Sequence, residues 1–171
     1  MKATPYLPEM FEQGWVFMDC AEKYFESQNQ CVKVAMSTPV IVNYSFACEV
    51  FLKILCLIHN KSLEKKHELK DLFECLPKEV RDTIMERTIL RSGCMDFMYY
   101  RDKNLNCGNE ELRKVSAAFV DWRYSYEYTK CSLHANIGFL QAFCVELREL
   151  CCRNIFNIKW VDYKRWWEKN G

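Results

Sequence analysis

Residues 39–58, PVIVNYSFACEVFLKILCLI, are apolar at almost every position, whichever way a helix of them is turned. A helix with no broad polar face cannot lie on a protein surface. It has to be wrapped on all sides, by other helices or by lipid. Asn43, Ser45, Glu49 and Lys53 interrupt the run, and charged side chains are costly in hydrocarbon. The expectation is therefore the central helix of a bundle, with no membrane contact.

The rest of the chain must supply the wrapping. Five glycines and four prolines among 171 residues are too few for the many turns of a sandwich, and suit long helices with few connections. Half the residues are hydrophobic and 27% are charged, as in a folded chain with one core. The reading is a single domain over residues 1–171, with its core at about 8–155 and an aromatic, basic extension at 156–171.

Proline placement suggests where helices begin. Pro8, Pro39 and Pro77 read as openers, because a proline in the first turn sacrifices no hydrogen bond. A first helix is expected from Pro8 to Val34. It carries Phe11, Trp15, Met18 and Phe25 on one stripe, and Gly14, Phe17, Ala21 and Tyr24 on the next. The second runs from Pro39 to Asn60. HELKDLFECL (67–76) is a short helix, and Pro77 opens another that ends near Leu90. Residues 92–108 show no period and read as the main loop. Asn109 reads as an N-cap followed by two acids, with Leu112, Val115, Phe119 and Trp122 on the buried face beyond it. Ile137, Leu140, Cys144, Leu147 and Cys151 step by three and four along a bundle seam. In the tail, Trp160, Tyr163 and Trp167 form a stripe that packs on the bundle or on a sister subunit. The predicted architecture is all-α: one up-and-down bundle of four to five main helices, plus a short helix and a C-terminal tail helix.

Eleven cysteines raise the question of disulfides or metal. No C-x-x-C occurs, and His59, His67 and His134 have no zinc-type spacing to a cysteine. Cys48, Cys56, Cys144 and Cys151 fall on apolar faces, where a thiol acts as a small hydrophobe. The expectation is reduced structural thiols, no metal and no cofactor. MKATPYLPEM lacks the apolar core of a secretory signal, which points to the cytoplasm.

Two polar features stand out against this apolar background. Ser45, Glu49 and Lys53 lie at i, i+4 and i+8, a stripe on the otherwise apolar second helix. A carboxylate there must meet a cation, and Arg123 is the expected partner. FVDWRYSYEY (119–128) then surrounds that arginine with aromatic rings and places Glu127 four residues beyond it. The stretch reads either as aromatic packing closed by the Glu49–Arg123–Glu127 charge network, or as a surface on which bases stack and a phosphate is held. His67 is expected to cap or orient the short helix through a ring hydrogen bond. A net charge of +1 gives no global pull on a polyanion, so any attraction has to be local.

In order and spacing, NYSFACEVFLKILCLIHN, HELKDLFECL, FVDWRYSYEY and a helix containing GFLQAF resemble the HEPN (higher eukaryotes and prokaryotes nucleotide-binding) domain family over residues 10–155. The resemblance implies a helical bundle that dimerises and an RNA- or nucleotide-interacting protein of prokaryotic defence or toxin–antitoxin type. A cognate antitoxin or a nucleotidyltransferase is the partner it suggests. Catalytic relatives are metal-independent endoribonucleases with an R-x(4–6)-H motif. This chain departs from it: Arg123 and His134 are separated by ten residues, and Arg123-x(4)-Tyr128 is the nearest surrogate. Arg123, Tyr128 and His134 are thus the catalytic candidates. Arg123, Tyr124, Tyr126 and Lys53 are the RNA- or nucleotide-binding candidates. Tyrosine is a poor base at neutral pH, so the residues predict salt-sensitive binding with little or no cleavage. The alternative from another class is a non-catalytic interaction or sensor module that dimerises or binds a protein.

Overall fold

A computed structural model describes residues 6–27, 34–61, 66–93, 101–116 and 136–170. They form seven helices and, among the described residues, no strand. These are α1 (Leu7–Ser27), α2 (Val34–Ile58), α3 (Leu69–Glu74), α4 (Lys78–Ser92), α5 (Arg101–Val115), α6 (Ile137–Phe156) and α7 (Trp160–Asn170). The all-α bundle read from the sequence is the fold.

The apolar run lies at its centre. α2 packs against α1, α3 and α6, and Tyr44, Phe51, Leu52, Ile54 and Leu55 have no exposed surface. The stretch Thr38–Ile58 has the length and composition to cross a membrane, yet 67% of its most apolar window is buried against the rest of the chain. That burial is the wrapping its composition demands.

Close helix contacts are set by small residues. A Cβ on Gly14 would lie 2.7 Å from the Phe51 ring, so α1 and α2 approach only because that position has no side chain. Gly108 plays the same part where α5 meets α4, since a Cβ there would lie 2.4 Å from Met85 Sδ. A helix-interior glycine weakens its own helix by about 1 kcal/mol, which the close contact offsets.

Several boundaries differ from expectation. Pro39 lies inside α2, which begins at Val34. Proline at this point forfeits one backbone hydrogen bond, and the helix continues through it into the buried run that begins at Val40. α1 is described as far as Ser27, so its expected end near Val34 falls on residues outside the described ones, and Pro77 is the N-cap of α4 rather than its first residue. The assigned main loop is partly helix: α5 starts at Arg101, and Asn109 sits in its interior rather than at its cap. Gly108, within the stretch read as loop, marks a helix crossing. Phe25 is 41% exposed, because the buried line on α1 runs through Phe11, Gly14, Met18 and Ala21, between the two expected stripes.

The α6 seam is buried as read, with Leu140, Cys144, Leu147 and Cys151 at zero exposure. Asn136 caps α6 by accepting from Phe139 N at 3.0 Å. Asn157, in the left-handed region at φ 56°, ends it and lets α7 fold back across α1. There Trp15 meets Trp160 and Trp167 at centroid distances of 5.5 and 4.6 Å, and Phe11 meets Tyr163 at 5.3 Å. Trp160 and Tyr163 are thus buried within their own chain, whereas Trp166 and Trp167 remain 56% and 36% exposed.

Candidate functional site

The stripe on α2 is buried. Ser45 and Glu49 are 0% and 4% exposed, and Lys53 reaches the rim. A carboxylate in such a place needs charge-assisted hydrogen bonds to offset its lost hydration. Glu49 Oε1 receives two: Lys53 Nζ donates at 2.6 Å and His67 Nδ1 at 2.9 Å. Among the described residues, Glu49 Oε2 and Ser45 Oγ are buried without a hydrogen-bond partner, so both described bonds fall on one carboxylate oxygen.

A carboxylate can only accept, so the proton between His67 and Glu49 belongs to Nδ1. In the neutral ring, Nε2 then has a free lone pair. His67 is 66% exposed, and among the described residues Nε2 has no partner. The ring is anchored at both flanks. Lys66 Nζ donates to Cys75 Sγ at 3.1 Å, and Leu69 is buried.

His67 does not cap α3. The cap residue Glu68 makes no side-chain bond. Instead the free amides at the start of α3 are satisfied from 46 residues away: Leu69 N donates to Ser116 O at 3.2 Å, and Lys70 N to Ser116 Oγ at 2.9 Å. Orphan amides at a helix start need such partners. His67 orients the segment before α3 by its bond to Glu49, as the ring hydrogen bond foreseen from the sequence would.

Of the residues singled out in the sequence, Glu49 and Lys53 meet here. Arg123, Tyr124, Tyr126, Glu127, Tyr128 and His134 lie outside the described residues. Glu49 has Lys53 and His67 as its described partners, and its expected pairing with Arg123 falls outside the described residues. Sequence reading missed His67 as the third member and Ser116 as the clamp. Among the described residues, no group of three or more His, Cys, Asp or Glu side chains could hold a metal ion.

A second buried charge is structural. Arg148 is 7% exposed, and burial pulls its pKa down from the usual arginine value. Its guanidinium lies over the Trp160 ring, and Nη1 donates to Met18 Sδ at 3.6 Å. Nearby Glu22 is pushed up by burial, an effect that Arg148 partly opposes.

The geometry defines a helical bundle with a carboxylate-held imidazole and an ammonium on its rim. In comparison with known proteins, the chain matches no protein-family model, no curated protein and no solved structure.

Proposed function

We propose that the chain is a HEPN-like, RNA- or nucleotide-interacting protein of prokaryotic defence or toxin–antitoxin type, acting as a homodimer in the cytoplasm. The observation that carries this reading is the Lys53–Glu49–His67 constellation. It offers an exposed imidazole nitrogen, oriented by a buried carboxylate, beside a fixed ammonium. A phosphodiester is attracted by the cation. The imidazole supplies the proton acceptor that the Arg123–Tyr128 spacing lacks, and general-base help is worth about 10²–10⁴-fold.

Position supports the same reading. Ser116 clamps α3 two residues beyond His67, and the arginine- and tyrosine-bearing stretch 119–128 begins three residues after Ser116. At roughly 3.3–3.6 Å per residue, Arg123 lies within about 25 Å of that clamp along the chain. An arginine and stacking rings brought beside a base and a lysine would form a set for holding a single strand.

The test is incubation of the purified protein with labelled tRNA and mRNA, with and without EDTA, alongside His67→Ala. The expected result is salt-sensitive binding, with EDTA-resistant cleavage, where it occurs, lost in His67→Ala. Absence of any RNA or nucleotide binding at low salt overturns the reading. Cleavage that survives His67→Ala moves the base elsewhere.

A further inference from the structure

A groove of about 600 Å³ runs between α4 and α6, closed at one end by the start of α7. Arg87, Leu90 and Arg91 line it from one face of α4, at i, i+3 and i+4. Glu146, Glu149 and Arg153 line it from one face of α6, and Lys159 and Val161 form the end wall. Two parallel rows of side chains, one on each helix, give the shape of a trough for an extended or helical segment.

Its charge is not neutralised from within. Arg91 Nε donates to Glu146 Oε1 at 2.7 Å, which accounts for the buried one of the two carboxylates. Arg87, Arg153 and Lys159 have no ion-pair partner among the described residues, whereas Lys23, Lys53, Lys70, Lys78, Arg113 and Lys114 are all paired with a neighbouring acid. The lips of the groove are aliphatic: Leu90 is 58% exposed and Val161 53%.

We infer that this groove docks an acidic, amphipathic segment of a protein partner. Three unpaired cations call for carboxylates, and Leu90 and Val161 call for an aliphatic side chain between them, as in helix-in-groove recognition. A nucleic-acid strand fits less well. Among the described residues, no aromatic ring lines the groove to stack a base. The inference concerns a different face from the Glu49 cluster and stands whether or not the chain binds RNA.

The test uses the full chain and a phage-displayed library of random peptides of roughly 16 residues, long enough to span such a groove as a helix. Enriched peptides should be rich in Asp and Glu, with aliphatic residues three or four apart. A fluorescein-labelled copy of the most enriched peptide is then titrated by anisotropy. Arg87→Glu with Arg153→Glu should weaken binding by about tenfold or more, and Leu90→Ser by about threefold. Lys61→Glu, outside the groove, should leave it unchanged. If charge reversal lowers the melting temperature, Arg87→Gln with Arg153→Gln replaces it, with the same direction expected. Enrichment without acidic bias, no enrichment, or affinity indifferent to the arginine variants overturns the proposal. Displacement of the peptide by an equal concentration of a short oligoadenylate makes the groove a nucleic-acid site instead. A dimer converted to monomer by the arginine variants makes it a self-association surface.

Discussion

The guanidinium carbon of Arg148 lies 4.2 Å from the centre of the Trp160 ring, so a buried charge on α6 is covered by the first residue of α7. A cation over an indole face is attracted by the ring quadrupole, by about 2 kcal/mol when water is excluded. The contact joins the terminal helix to the core at the point where the core is polar.

Trp160→Ala should therefore be among the most damaging single changes. It removes a 7%-exposed ring that touches Phe11, Trp15 and Tyr163, and it opens Arg148 to solvent. Loss of a buried tryptophan costs about 3–5 kcal/mol, read as a shift of the urea midpoint. The exposed Trp166→Ala should cost far less.

Gly14→Ala tests the α1–α2 crossing. The new methyl would meet the fully buried Phe51 ring, which has no room to turn away. Overpacking of about 1–3 kcal/mol should exceed the gain of up to about 1 kcal/mol in helix propensity. Phe51→Leu in the same chain should relieve part of the clash. The double variant should then be more stable than the sum of the single changes predicts. Additive losses would show that α1 shifts freely.

Glu49→Gln should destabilise by about 1–3 kcal/mol, the range for losing charge-assisted hydrogen bonds. Lys53→Met should cost under about 1 kcal/mol, because the Lys53 side chain is already 23% exposed and surface pairs contribute little. Equal losses in chemical denaturation would contradict the asymmetry between a buried acceptor and its rim donors.

Alkaline pH should weaken the fold. Burial pushes the Cys56 and Cys152 thiols from 9.0 up to about 11, and Cys151 well above the ordinary value. The unfolded chain releases these protons first, so it binds fewer than the folded chain above about pH 9. Stability contributed by the buried thiols is complete below that pH and declines as pH rises through about 11. Denaturation curves between pH 8 and 11 should move steadily to lower urea. A thiol reagent at pH 8 should label the exposed Cys20 and Cys107 and spare Cys56, Cys144, Cys151 and Cys152 until the chain unfolds.

Within α2, α6 and α7, the features read from spacing appear in the structure. Apolarity around α2, the seam from Leu140 to Cys151 and the Trp160–Tyr163–Trp167 stripe are patterns among residues three or four apart. A helix turns those spacings into faces with no help from the rest of the chain. The stretch from Arg101 to Gly108 reads as loop for the opposite reason: it shows no local period, and only the position of Met85 on another helix makes Gly108 a packing surface. Pro39 likewise reads as a helix opening, and only the structure shows the helix already running from Val34.

The candidate site divides along the same line. Glu49 and Lys53 were legible as a pair because one helical turn separates them, and a charge in an apolar run announces that it needs a partner. That the partner is His67, that Ser116 holds α3 in place beside it, and that Arg87 and Arg153 face one groove are decided by the tertiary structure. These contacts join residues far apart in sequence. No local spacing encodes which helices pack together, and the choice comes from burying all the apolar faces at once.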